Sequence, residues 1–160
     1  MIEDKILIWK FKAGSVDALR RIYQKYKDDL LKLAVILAGD VATAEDALHD
    51  VFVKFAQSQQ NIRINGNLKS YLAVCVANRI RNRHRDNSRR RECSLESAEN
   101  IATDVKSPHH RAQLNEQLQT LTAVMTKLPD DQREVVALYM QGDMTFKKIA
   151  ELQNVSINTA

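Results

Sequence analysis

Two prolines and four glycines in 160 residues leave few places for the backbone to break, which argues for long helices. Cys75 and Cys93 are the only cysteines, so a disulfide framework is excluded. No run approaches the roughly 18 apolar residues of a membrane span. The opening MIEDKILIWKFKAG has neither the basic start nor the small-residue cleavage site of a secretory leader. A cytoplasmic protein without membrane insertion is therefore expected. Glycine-rich phosphate loops, nucleophile elbows and HExxH patterns are also missing. Adjacent His109 and His110 point to different sides of a helix and, with Cys93, lack the spacing of a zinc site. No catalytic residue, metal or cofactor is expected.

What the chain does have is arginine in one place. NRIRNRHRDNSRRR, Asn78 to Arg91, holds seven arginines and one aspartate. That segment carries +6 against a formal +4 for the whole chain, so the remainder sums to −2. Local positive charge on a near-neutral body favours a polyanionic partner, and nucleic acid or an acidic membrane surface would both satisfy it. With 44% hydrophobic and 28% charged residues, the chain is expected to be globular rather than disordered.

Periodicity places the helices. A short amphipathic segment around Ile6, Leu7, Trp9 and Phe11 ends at Ala-Gly-Ser. Ser15 then suits the N-cap of a long helix with Leu19, Ile22, Tyr23, Tyr26, Leu30, Leu33, Ala34 and Leu37 at helical spacing, closed by Gly39. Thr43 is expected to cap the next helix, with Asp46 completing a capping box. Its buried stripe is Ala44, Ala47, Leu48, Val51, Phe52 and Phe55, with Glu45, Asp46, His49, Asp50 and Lys54 facing away. Ser58 to Asn67 reads as a polar loop. From Leu68 a helix buries Leu68, Leu72, Cys75 and Val76, with Ile80 at the edge. At 100° per residue, Asn78, Arg81, Asn82, Arg85 and Arg89 fall within about 100° of one another on the opposite face. Arg79, Arg83 and Arg90 form a second stripe, expected to reach solvent by snorkelling.

The charge then reverses: Glu92 to Asp104 holds four acids and no base, and reads as a linker. A helix from about 108 carries Leu114, Leu118, Leu121, Met125 and Leu128. Pro129 opens a last unit, with one helix to about Gln141, a break at Gly142, a second helix from Thr145 to about Leu152, and Ser156 poised to cap a third. That is the plan of a helix-turn-helix DNA reader.

Three motifs, in order, resemble the sigma-70 superfamily of transcription initiation factors, and most of all its extracytoplasmic-function group. They are TAEDALHDVFVKF, LKSYLAVCVANRIRNRHRDNSRRR and LPDDQREVVALYMQGDMTFKKIAELQNVSINTA. The resemblance implies an all-α fold of two small helical domains on a flexible linker: 1–91 as region 2, 92–107 as linker and 108–160 as region 4. It implies that Glu45, Asp46, His49, Asp50 and Lys54 contact core RNA polymerase. Asn61, Arg63, Asn65, Asn67, Asn78, Arg81, Asn82, Arg85 and Arg89 would read and melt the −10 element, on its non-template strand. Arginines suit phosphates, and the amide of asparagine both donates and accepts at a base edge. Tyr71 is expected to pack at the start of its helix rather than stack on a base. Ser156, Asn158 and Thr159 would begin the helix that enters the −35 duplex. The family carries most −35 contacts further along, so recognition by a chain ending at Ala160 is expected to be crippled. Asn82 stands where the family usually has Asp, and His49 where Gln is common. An anti-sigma partner is implied as well. The alternatives are a free-standing helix-turn-helix regulator of duplex DNA and a small adaptor whose basic helix meets RNA or an acidic protein.

Overall fold

The computed structural model describes residues 2–59, 61–62, 64, 67–93 and 120–156. The chain is all-α, and the described residues contain no strand. The helices are α1 (Ile2–Lys12), α2 (Val16–Ala38), α3 (Val41–Gln57), α4 (Leu68–Cys93), α5 (Asp130–Met140) and α6 (Phe146–Gln153); residues 120–125 are helical as well. No described helix is long and apolar enough to cross a membrane.

The starts and stops of α2 follow local chemistry. Ser15 Oγ accepts from the Ala18 amide at 3.3 Å. Gly39 ends the helix at φ 83°, in the left-handed region where a Cβ is penalised, and donates to the Val35 carbonyl. The start of α3 differs from expectation. It begins at Val41, capped by Asp40, whose carboxylate accepts from the Thr43 amide at 2.7 Å. Thr43 lies inside the helix. A carboxylate caps better than a threonine hydroxyl, and its charge suits the positive end of the helix dipole.

The core is built around α2. Ile22, Leu30, Leu33, Ala34 and Leu37 are buried between α1, α3 and α4, as is the whole expected stripe of α3. Leu7 and Phe11 are buried on α1, with Phe11 stacked on Phe55 at 4.6 Å. Ile6 and Trp9, on the other side of α1, are exposed. In α4, Leu68, Leu72, Val76 and Ile80 are buried, and so are Ala73 and Ala77. Tyr71 packs against Phe55, as its place at the helix start suggested.

A polar clip fastens α1. Asp4 accepts from Lys25 at 2.8 Å and from the Tyr26 hydroxyl at 2.6 Å, and Glu3 takes a second bond from Lys25 at 2.8 Å. Burial alone would raise the Asp4 carboxyl, but the hydrogen bonds from Lys25 and Tyr26 outweigh it and hold the group below its ordinary value. Burial, then the bond to Asp4, pushes the Tyr26 hydroxyl up. Because the folded value of Asp4 is depressed, its stabilisation is present above the ordinary carboxylate range and is lost as pH falls through the folded value. Acid is thus expected to loosen α1, lowering the anisotropy of Trp9, the sole tryptophan. Asp4→Asn should remove most of that acid transition and cost about 1 kcal/mol at neutral pH; an unchanged transition would dismiss the clip.

The C-terminal helices form a compact turn. Arg133 caps the preceding helical segment, donating from Nε to the Met125 carbonyl and from Nη2 to that of Leu128, each at 3.0 Å. Thr145 Oγ1 accepts from the Lys148 amide at 3.4 Å and starts α6, which ends on Asn154 at φ 56°. Leu138, Ile149 and Ala150 close the space between α5 and α6. This unit does not stand apart: α5 packs on α2 and α4, and its apolar residues join the same buried cluster.

Candidate functional site

The basic face of α4 begins over a buried interior and continues past Ile80, where that interior ends. Asn82, Arg85 and Arg89 are exposed, on the side away from Leu72 and Val76. Arg81 is half exposed and Asn78 partly buried, and the two meet through a 2.9 Å bond from Arg81 Nη1 to Asn78 Oδ1. The loop before α4 supplies Asn61, which is exposed, and Asn67, whose Oδ1 accepts from the Lys69 amide at 2.9 Å and so helps start the helix. Arg63 and Asn65 lie outside the described residues. Buried Ile62 pins the loop to the core and fixes where its polar residues emerge.

Two members of the second arginine stripe, Arg79 and Arg83, are held differently from the sequence expectation; the side chain of the third, Arg90, lies outside what the structure describes. Instead of snorkelling to water, Arg79 donates to Asp50 through Nε at 2.8 Å and through Nη2. Arg83 donates to Asp46 through both terminal nitrogens at 3.4 Å. Two outward carboxylates of α3 thus lie against α4, because helices packed side by side bring their flanking charges together. Asp50 is half-buried by this pairing, while Asp46 stays largely exposed.

The remaining candidate face of α3 consists of His49 and Lys54, which are exposed, and Glu45, which is partly buried. Val53, not singled out from the sequence, joins them at 40% exposure. Its signal was available: Asp46, His49 and Val53 follow the helical repeat that places residues three and four apart on one face. Tyr23 of α2 is half exposed and edge-on to Phe52 at 4.9 Å.

At the far end, Ser156 is exposed just beyond α6, whereas Asn158 and Thr159 lie outside the described residues. Sequence reasoning also passed over Glu134 and Asp143. Glu134 pairs with Arg81, and Asp143 accepts from Asn67 Nδ2 at 2.7 Å. Both contacts span more than 50 residues, and no local pattern encodes them.

A basic helix over a packed bundle, followed by a capped helix pair, can be set beside known proteins. The sequence model of Sigma-70 region 2 matches residues 22–90, and that of Sigma-70, region 4 matches residues 118–160. The chain belongs to the sigma-70 family. Among the relatives of this sigma factor is the ECF RNA polymerase sigma factor SigM of Bacillus subtilis (strain 168). It is 26% identical over 140 residues, covering 84% of this chain and 81% of SigM. SigW of the same organism, also an ECF RNA polymerase sigma factor, is 26% identical over 160 residues, covering 95% and 86%. The fold matches that of RpoE from Bartonella quintana, solved with the anti-sigma factor NepR. There the TM-score is 0.67 at 22% identity, over 90% of this chain and 88% of that one. This sigma factor is of the extracytoplasmic-function group, and its function is to direct RNA polymerase to promoters.

Proposed function

We propose a division of that function among the surfaces just described. Residues 1–91 act as region 2, 92–107 as the linker and 108–160 as region 4. In region 2 the ridge of Asn82, Arg85 and Arg89, with Asn78, Arg81 and the loop from Asn61 through Arg63 and Asn65 to Asn67, holds the −10 strand as it unstacks. The observation that carries this reading is the exposure of Asn82, Arg85 and Arg89, in the part of α4 that runs on past Ile80, its last buried residue, with Arg83 alone partly buried among the described residues there. A strand with splayed bases needs such a rail: guanidiniums for phosphates, and amides for the base edges that melting exposes. Extruding a base costs a few kcal/mol, which these contacts must offset.

The exposed part of α3 meets core polymerase through Asp46, His49 and Lys54 around Val53, with Glu45 and Asp50 at its margin. An apolar centre inside a charged rim is the usual anatomy of a docking patch. In region 4, Ser156 with Asn158 and Thr159 begins the helix offered to the −35 duplex. An anti-sigma factor is the expected regulator, in line with the RpoE complex.

The test is run-off transcription with core enzyme on a −10/−35 promoter. Activity that requires both proteins supports the reading, whereas a duplex-binding regulator would give no polymerase-dependent initiation. Val53→Arg should weaken polymerase binding at least tenfold while leaving the urea midpoint unchanged, since Val53 is not part of the core. Asp50→Arg is a poorer probe because it also breaks the pair with Arg79. Full binding by Val53→Arg would remove this face from the interface.

A further inference from the structure

We infer that the outward face of α1 docks on an anionic lipid surface, lying among the headgroups without crossing the bilayer. The inference is independent of the roles proposed for α3 and α4. α1 carries two apolar stripes where the core needs only one. Leu7 and Phe11 are buried against the bundle. On the opposite side Ile2 is 78%, Ile6 48% and Trp9 69% exposed. At 100° per residue these three fall within about 60° of one another. Lys5 and Lys12 flank them on one side and Lys10 on the other, each about 70–90° from the middle of the stripe. All three lysines are exposed, and none has an ion pair among the described residues. The acids of α1 are already matched, Glu3 by Lys25 and Arg21, and Asp4 by Lys25. The outward half of α1 is therefore apolar along its middle and positive at its edges.

The helix is also held still. Lys25 and Tyr26 fasten its first turn through Asp4. At the other end Phe11 stacks on Phe55, and its carbonyl accepts from Gln59 Nε2 at 2.5 Å. A face fixed at both ends loses little ordering entropy when it docks. Among the possible occupants, lipid fits its chemistry best. Tryptophan and isoleucine between lysines is the make-up of helices that lie in a membrane interface. There the apolar side chains sink to the acyl boundary, while lysine stems reach back to the phosphates. Tryptophan favours that depth because its ring is apolar and its N–H still finds a partner. A second copy fits worse, since two-fold pairing of this face sets lysines against lysines. Three side chains also fall well short of the roughly 800 Å² per partner in a stable protein interface. Nucleic acid would use the lysines and leave Ile2 and Ile6 unmatched. One short helix with three cations gives a reversible, salt-sensitive attachment.

The experiment mixes the full chain with phosphatidylcholine vesicles containing about 30% phosphatidylserine, an anionic surface that attracts lysine. Trp9, the sole tryptophan, reports its own depth. Its emission is expected to shift to the blue and to be quenched when brominated phosphatidylcholine is included. Partition onto vesicles of phosphatidylcholine alone should be at least about tenfold weaker. Lys5→Gln/Lys10→Gln/Lys12→Gln should lose about tenfold or more on the anionic vesicles, with the urea midpoint unchanged. Lys127→Gln/Lys147→Gln/Lys148→Gln removes the same charge from exposed sites on the C-terminal unit and should cost less than about threefold. Ile2→Asp, at the most exposed apolar position of α1, should weaken partition while leaving the fold intact. Equal losses in the two lysine triples would assign the attraction to bulk charge and overturn the inference. Vesicle binding that leaves Trp9 unquenched would give the lipid to the arginines of α4, and overturns it as well. So does a Trp9 shielded from acrylamide by a second copy, by core polymerase or by promoter duplex but never by vesicles.

Discussion

Replacing Arg85 and Arg89 together with alanine is expected to lower affinity for the promoter strand by about ten- to a hundredfold and to cripple promoter opening. Both side chains are exposed on the ridge, and neither belongs to the buried cluster, so helix content and the urea midpoint should stay near the parent values. Each phosphate contact on a single strand contributes about −0.7 to the slope of log K against log salt. Losing two should therefore flatten that slope by about 1.4. The slope is the more searching readout, because a folding defect would lower affinity without this change in counterion release. A measured slope equal to the parent's would take both arginines off the phosphates. Asn82→Ala makes a useful contrast. It removes no charge, so it should alter preference among strand sequences and leave the salt dependence intact.

The second large effect is on stability. Leu30 is fully buried at the centre of α2, the helix that touches α1, α3, α4 and α5. Leu30→Ala removes apolar atoms and leaves a cavity that close-packed neighbours fill only partly, which costs about 2–5 kcal/mol. Domains of this kind have roughly 5–15 kcal/mol in all, so the variant should be partly unfolded well below the parent midpoint in urea. A loss under about 1 kcal/mol would mean that α2 is not the hub of the core. Polymerase and strand binding should fall together in this variant, since both faces rest on the same helix. In Arg85→Ala/Arg89→Ala and Val53→Arg they should separate.

Most of the local structure could be read from the chain. The apolar stripes of α2 and α3 repeat every three or four residues, and the structure buries the stripe of α3 in full. Ser15, Gly39 and Thr145 act at the boundaries where their chemistry suggested. The error at the start of α3 was also local: Asp40 and Thr43 are both acceptable caps, and only the backbone geometry chose between them. The outward side of α4 was legible because its hydrogen-bond donors recur on one face, opposite the leucines. Val53 was missed because the outward face was drawn from polar residues alone, although the helical repeat places it there.

The order of the amino acids determined the helices, the faces they bury, the single concentration of arginine and, through three motifs, the family. These follow from interactions within a few residues, where the helical repeat fixes every neighbour. What the arginines do was decided only by folding. Arg79 and Arg83 went to carboxylates of α3, Arg81 to Glu134, and Arg85 and Arg89 stayed exposed, though all five look alike in sequence. Charge attraction acts through space. A side chain's partner depends on which helices pack together, and the packing of α5 on α2 and α4 joins segments that lie far apart along the chain.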